Sequence, residues 1–143
     1  MLVFILSGKN VEAKTFTVAE QPKDTVFWVW AVDKPPQFQG GLMYMRDYIL
    51  STIRLPREMR EGSWQGRVFV QFIVRKTGKI TDVEVIRSMT ILSADREAVR
   101  VVESMPDWIA GEHNGEKVNV RVLMPIGFKK SDYDWILRSN KSE

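Results

Sequence analysis

A single histidine, His113, and no cysteine are all the imidazole and thiol chemistry that these 143 residues offer. That pair of facts excludes disulfides, thiolate nucleophiles and the usual zinc ligand sets. His113 lies between Glu112 and Asn114 in a glycine-flanked stretch, where a solvated loop histidine is a simpler reading than a general base. Carboxylates cluster in "REMRE" (57–61) and "ADREA" (94–98), but both mix charges at helical spacing, as solvated helix faces do. "GKITD" (78–82) is not a phosphate loop, because no G-x-x-x-x-G-K precedes a helix. Gly40 and Gly41 precede a helical pattern and could hold an anion on free N–H groups, although a tight turn explains them as well. Trp28, Trp30, Trp64 and Trp108 could form a carbohydrate platform, with core or interface packing the default. Neither a catalytic constellation nor a metal or cofactor site emerges, and no enzyme activity is expected.

Composition narrows the partners. Net charge is +3, with 21 Lys and Arg scattered among 18 Asp and Glu. Nucleic-acid binders concentrate basic charge on one face, so no nucleic-acid role is expected. No apolar run approaches the roughly 18 residues of a membrane span. "LVFIL" (2–6) is too short for a signal-peptide core and lacks a basic leader. On its own the chain reads as cytoplasmic, or as the continuation of a longer precursor.

The elements come from periodicity. Residues 1–20 read as a strand, a "SGKN" turn and a second strand over Val11–Val18. Thr25–Val32, "TVFWVWAV", reads as a strand apolar on both faces, and therefore covered on both sides or paired with a partner. "DKPPQFQGG" breaks it. Leu42, Met45, Ile49 and Ile53 predict a helix over Gly41–Ile53. Val68, Val70, Phe72 and Val74 alternate with a more polar face, "KTGK" turns the chain on Gly78, and Ile80, Val83 and Val85 resume an apolar face. Ser93 is the predicted N-cap of a second helix, with Asp95 and Glu97 in its first turn and Ala94, Ala98, Val101, Val102 and Met105 as its buried stripe. Pro106 ends it. "GEHNGEK" (111–117) reads as a polar loop. Val118–Phe128 is a strand with every even position apolar. Phe69 and Leu123 stand out as apolar residues on otherwise polar faces.

Pro125 makes this last strand an edge, since proline cannot donate to a ladder and is confined to edges, strand ends and bulges. An edge left open for much of its length is a surface for pairing with another chain. Such pairing draws affinity from main-chain hydrogen bonds and specificity from side-chain pockets.

These residues resemble a known family, the C-terminal domain of TonB, the energy transducer of Gram-negative envelopes. "PQFQGG" is similar to the P-x-F-P-G-G motif of its Bacteroidetes-type branch. "LPREMREGSWQGRVFVQFIVRKTGKITDVEVIRS" follows its G-x-V-x-V-x-F-x-V-x-x-x-G-x-I-x-D-V-x-V-x-x-S pattern. "DREAVRVVESMPDW" and "VNVRVLMPIGF" are similar to its second helix and last strand. The resemblance covers Asp33–Lys130. Gln39, Leu55 and Ala110 depart from the family's Pro, Tyr and Pro, and Ser51, Thr52, Ile53 and Arg54 stand where well-studied members carry a Gln/Pro run.

The resemblance implies an α+β fold, a three-stranded antiparallel sheet packed on two helices, over 33–130; the additional N-terminal strands read over 1–32 and a tail over 131–143 lie outside it. It implies a periplasmic module, inner-membrane anchored through an N-terminal helix outside these residues. Its partner would be the TonB box, an extended segment of outer-membrane transporters, added as a strand to Val118, Asn119, Val120, Arg121, Val122, Leu123, Met124 and Pro125. The ExbB/ExbD complex is implied through the anchor, and a homodimer remains open. Two rivals stand beside this reading. One is a peptide-binding sensor module of a membrane peptidase or receptor, and the other is cell-wall binding through exposed aromatics.

Overall fold

Alternation builds the central strand. Val68, Val70, Phe72 and Val74 place four apolar side chains on one face, and all four are completely buried. The computed structural model describes residues 2–7, 10–15, 24–60 and 64–139. The chain begins with an antiparallel hairpin, β1 (Leu2–Ser7) and β2 (Asn10–Thr15), with Leu2 opposite Thr15 and Ser7 opposite Asn10. Residues 16–18 of the expected second strand lie outside the described residues. There follow β3 (Val26–Trp28), a 3-10 turn (Val29–Ala31), α1 (Leu42–Thr52), the one-turn α2 (Arg57–Arg60), β4 (Gln65–Val74) and β5 (Ile80–Arg87). Then come α3 (Leu92–Glu103), β6 (Gly111–His113), β7 (Glu116–Lys129) and α4 (Lys130–Ser139).

The main sheet has the order β3-β7-β4-β5, with β6 paired to the start of β7. The expected antiparallel trio β7-β4-β5 is its centre, and the fold is α+β. β4 and β7 pair without a break from Gln65↔Lys129 to Val74↔Val120. The apolar face of the sheet meets the stripe of α3, where Ala94, Ala98, Val101 and Val102 are fully buried as their spacing predicts. Phe38, Trp108, Met59 and Tyr133 complete this core. α1 is tied to α3 by polar contacts at its end. The Arg54 N–H donates to Glu97 Oε1 at 2.6 Å, and Arg100 Nη2 donates to the Thr52 carbonyl at 2.8 Å.

Several expectations need correction. The strand expected over Thr25–Val32 is only three residues long and turns away at Val29. None of its apolar side chains is buried. Trp28 and Trp30 are exposed, and they stack on each other at 4.7 Å and 10°. Leu42, placed on the inner stripe of α1, is 78% exposed, because the first turn of α1 overhangs the core. α3 starts two residues earlier than Ser93 implied, with Ile91 as its N-cap, and the Ser93 hydroxyl bonds Glu58 instead. Glu97 therefore falls past the first turn, which Asp95 occupies alone. "GEHNGEK" is not a loop but a tight hairpin, in which Asn114 (φ 52°) and Gly115 (φ 78°) supply the two positive φ angles of a two-residue turn. The apolar spacing of Ile80, Val83 and Val85 skips a residue because β5 is bulged, with Asp82 at φ 55°. The region expected as a tail begins with α4, whose Tyr133 is part of the core.

Candidate functional site

The backbone of β7 decides where the site is. The Lys130 N–H donates to the Trp64 carbonyl at 3.3 Å, one step beyond the Gln65↔Lys129 pair. In an antiparallel ladder, bonded pairs alternate with non-bonded ones. With an unbroken register, the even-numbered residues Val120 to Phe128 therefore exchange their bonds with β4. The odd-numbered residues Arg121, Leu123, Pro125 and Gly127 direct N–H and C=O to the opposite side. Pro125 thus stands where its missing donor leaves no gap in the ladder to β4.

That opposite side is only partly occupied. β3 runs parallel to it at Asn119–Arg121, whereas β6 pairs with Glu116–Val118, ahead of the ladder to β4. At the far end, the Tyr133 hydroxyl donates to the Gly127 carbonyl at 2.8 Å. Burial pushes the Tyr133 phenol up to about 12, with Asp132 adding to the shift, so the hydroxyl stays a donor. Among the described residues, no strand pairs with this side between Val122 and Lys129. The free stretch therefore presents the N–H and C=O of Leu123, the C=O of Pro125 and the N–H of Gly127.

The eight residues read from sequence divide accordingly. Val118 is paired with β6, and Asn119, Val120 and Arg121 already have β3 beside them on the outer side. Val120 is core. Asn119 is buried and structural: its Oδ1 accepts from the Lys76 N–H at 2.9 Å and its Nδ2 donates to the Thr25 carbonyl at 3.4 Å. Arg121 lies 5.1 Å over the Trp28 ring. Val122, Leu123, Met124 and Pro125 are the portion left open. Met124 is buried toward the helices, whereas Leu123 is 53% exposed. The shortening could not be read from one sequence, since β3 and β7 are far apart in the chain. The hairpin turn that begins it was signalled by "NG" at Asn114–Gly115.

Beside this open stretch lies an apolar groove of about 430 Å³, with Pro36, Phe38, Leu42, Met45 and Trp108 facing Val122–Pro125. Its walls are fixed by the backbone. Gln37 and Ile109 exchange two hydrogen bonds at 3.0 and 2.8 Å. The Trp108 N–H donates to the Gly78 carbonyl at 2.8 Å. Gly78 itself has φ 88°, and a Cβ there would clash with the Trp108 carbonyl oxygen. Gly40 and Gly41 (φ 90° and 87°) make a turn in which the Gly41 N–H bonds Phe38, so the turn reading of the pair holds over anion binding. The Trp108 ring packs edge-on against Phe38 and Phe72 at 5.8 and 5.4 Å. Its indole N–H is buried without a hydrogen-bond partner.

The charged groups do not assemble into a reactive set. His113 Nδ1 lies 3.5 Å from Asp33 Oδ2, which accepts from the Asn114 N–H at 2.8 Å, and the ring tilts against Phe27 at 5.2 Å. This pairing braces the β6–β7 turn. The Thr81 hydroxyl and then Arg75 hold the Asp82 carboxyl below its ordinary range on the exposed bulge of β5. No group of three or more His, Cys, Asp or Glu among the described residues could hold a metal ion.

The family model for the Gram-negative bacterial TonB protein C-terminal domain matches residues 51–129. The chain belongs to this family. The match spans β4, β5, α3 and β7, with β1, β2, β3 and most of α1 preceding it. Two solution structures of the Helicobacter pylori TonB C-terminal domain are similar to the chain. The shorter is 25% identical with a TM-score of 0.46, covering 61% of this chain and 90% of that one. The longer is 23% identical with a TM-score of 0.45, covering 61% and 78%. No curated protein matches. The TonB C-terminal family is a non-enzymatic, transport-associated one, periplasmic in general, whose members in general interact with outer-membrane transporters. No helix among the described residues is long and apolar enough to cross a membrane.

Proposed function

We propose that this TonB-type domain captures an extended segment of an outer-membrane transporter, the TonB box, by adding it as a strand to the open side of β7. The observation that carries this reading is the outward-facing, unpaired backbone of Leu123 and Pro125 beside a groove. A strand laid there gains a bonded pair with Leu123 and one further acceptor at Pro125. Few bonds and a peptide that must be ordered on binding make isolated affinity weak, roughly micromolar or poorer. Such weakness suits a contact made and broken during energy-coupled uptake. Coupling to the ExbB/ExbD complex belongs to the same reading and would act through segments other than residues 1–143.

The alternative, a peptide-binding sensor module not coupled to transport, uses the same edge. It is kept by the hairpin β1–β2, which lies outside the family match. The test is an NMR titration of labelled protein with box peptides from candidate transporters, against extended peptides of unrelated sequence. Shifts clustered on Val122–Gly127 with box peptides support the proposal. Shifts gathered on Trp28 and Trp30, with β7 silent, overturn it.

A further inference from the structure

We propose that the face of the main sheet opposite the helices docks on an anionic phospholipid surface. This is independent of strand addition, which uses the edge of β7 rather than this face.

The ladder defines the face. Residues directly opposite each other on paired strands lie on the same side of the sheet. The pairs Arg67↔Gly127, Phe69↔Pro125, Gln71↔Leu123 and Ile73↔Arg121 alternate with the core pairs Val70↔Met124 and Phe72↔Val122, and so point the other way. All four helices send side chains into the core cluster, which includes neither Phe69, Ile73 nor Leu123. At one end of the face, Trp28 lies opposite Arg121 and Trp30 stacks on Trp28. At the other end, Arg87 lies opposite Phe69. Four strands at their usual spacing make it about 14 Å wide.

Its chemistry is apolar and cationic at once. Leu123 is 53% exposed, Pro125 is exposed and Phe69 is half-buried. Arg67, Arg87 and Arg121 stand among them, and none of the three makes an ion pair among the described residues. Arg87 lies 6.0 Å over the Phe69 ring, and Arg121 lies 5.1 Å over Trp28. The acidic residues of β5 are already engaged, Asp82 with Arg75 at 2.8 Å and Glu84 with the Gln71 amide at 2.9 Å. Glu84 keeps its charge and subtracts from the basic face.

The occupant follows from the arrangement. Apolar and basic groups are interspersed across the width of the sheet rather than gathered at one point. A phospholipid layer offers negative charge at every lateral position, with an apolar interior behind it. Arginine stems lie along apolar neighbours while their guanidinium groups reach for phosphate. The indoles fit the same surface. Trp28 and Trp30 are 44% and 74% exposed, and indole rings favour the boundary between headgroups and acyl chains. A second copy fits poorly, because a two-fold contact through this face sets the same arginines against each other. An acidic protein segment would answer the arginines alone.

The test is co-sedimentation of the full chain with vesicles of phosphatidylglycerol in phosphatidylcholine, against vesicles of phosphatidylcholine alone. The chain should pellet with the anionic vesicles, be released by high salt, and show a blue shift of tryptophan emission. Arg67→Gln and Arg87→Gln, exposed on β4 and β5 away from the free edge of β7, should each weaken binding about fivefold. Trp30→Ser should weaken binding and remove part of the blue shift. Arg96→Gln, exposed on α3 on the helix side, should change nothing. No pelleting with anionic vesicles overturns the proposal, as does an equal loss with Arg96→Gln or an unchanged blue shift with Trp30→Ser. NMR shifts on Arg67, Arg87 and Arg121 with poly-glutamate, without vesicle binding, assign the face to an acidic protein and also overturn it. None of these outcomes bears on the β7 edge, which the peptide titration tests separately.

Discussion

Leu123→Pro should separate binding from folding. Leu123 turns its N–H away from β4, as the register from Gln65↔Lys129 and the Lys130–Trp64 bond require. Proline at 123 therefore removes no bond from the β4–β7 ladder. The residue before it, Val122, sits in a strand, the conformation that a following proline favours, and Met124–Pro125 already repeats the arrangement two residues on. The folding cost should stay below about 1 kcal/mol. Val122→Pro makes the contrast. Its N–H faces Phe72, which is fully buried, so the substitution strands a buried carbonyl at a cost of about 1–3 kcal/mol, with the ring clash in addition. For binding, Leu123→Pro removes the donor at the centre of the open stretch and puts a ring in the path of the incoming strand. The lost bond alone is about 0.5–1.5 kcal/mol, a factor of roughly 2 to 13 in Kd. Urea melts would report the first effect and calorimetric titration with a box peptide the second. Equal destabilisation by the two prolines would refute the assignment of the outward side of β7, and with it the site.

Phe72→Ala should cost about 3–5 kcal/mol in denaturant melts, since Phe72 is fully buried against Trp108; a loss below about 1 kcal/mol would mean the packed face is misassigned. Gly78→Ala should be destabilising by more than about 1 kcal/mol, because it combines φ 88° with a clash on the Trp108 carbonyl, and fluorescence should show Trp108 displaced. Tyr133 gives a signed pH effect. Its folded pKa is raised from about 10 to about 12, so the unfolded chain loses the phenolic proton first, and its contribution is complete below pH 10 and lost as pH rises toward 12. Tyr133→Phe should remove that alkaline fall from the melting profile, and an unchanged profile would contradict the burial of the phenol.

The strictly periodic elements were legible because burial on one face leaves a period that nothing else imposes. Val68 to Val74, Ala94 to Met105 and the even residues of β7 all lie where alternation or helical spacing puts them. Val26–Val32 misled because β-branched and aromatic residues read as a buried strand, whereas Trp28 and Trp30 satisfy part of their surface against each other. The start of α3 at Ile91 was hidden because Ser93 has a better-looking capping side chain but spends it on Glu58. Tyr133 stands between Asp132 and Asp134, and only Ile136 and Leu137 at helical spacing after it hinted at a buried face. At the site, Pro125 announced an edge correctly near itself. The outward direction of Leu123 and the coverage of Asn119–Arg121 depend on pairings with β3 and β4, which no local pattern in β7 encodes. The groove depends on Phe38, Met45 and Trp108 converging from three separate segments.

Amide hydrogen exchange at Leu123 is the most direct measurement of whether this edge receives a strand. In the free chain the Leu123 N–H should exchange fast while its neighbours Val122 and Met124, bonded to β4, exchange slowly. Saturating box peptide should slow Leu123 selectively and leave those neighbours unchanged. A Leu123 amide that is already slow in the free chain, or that stays fast with peptide bound, would contradict strand addition on β7.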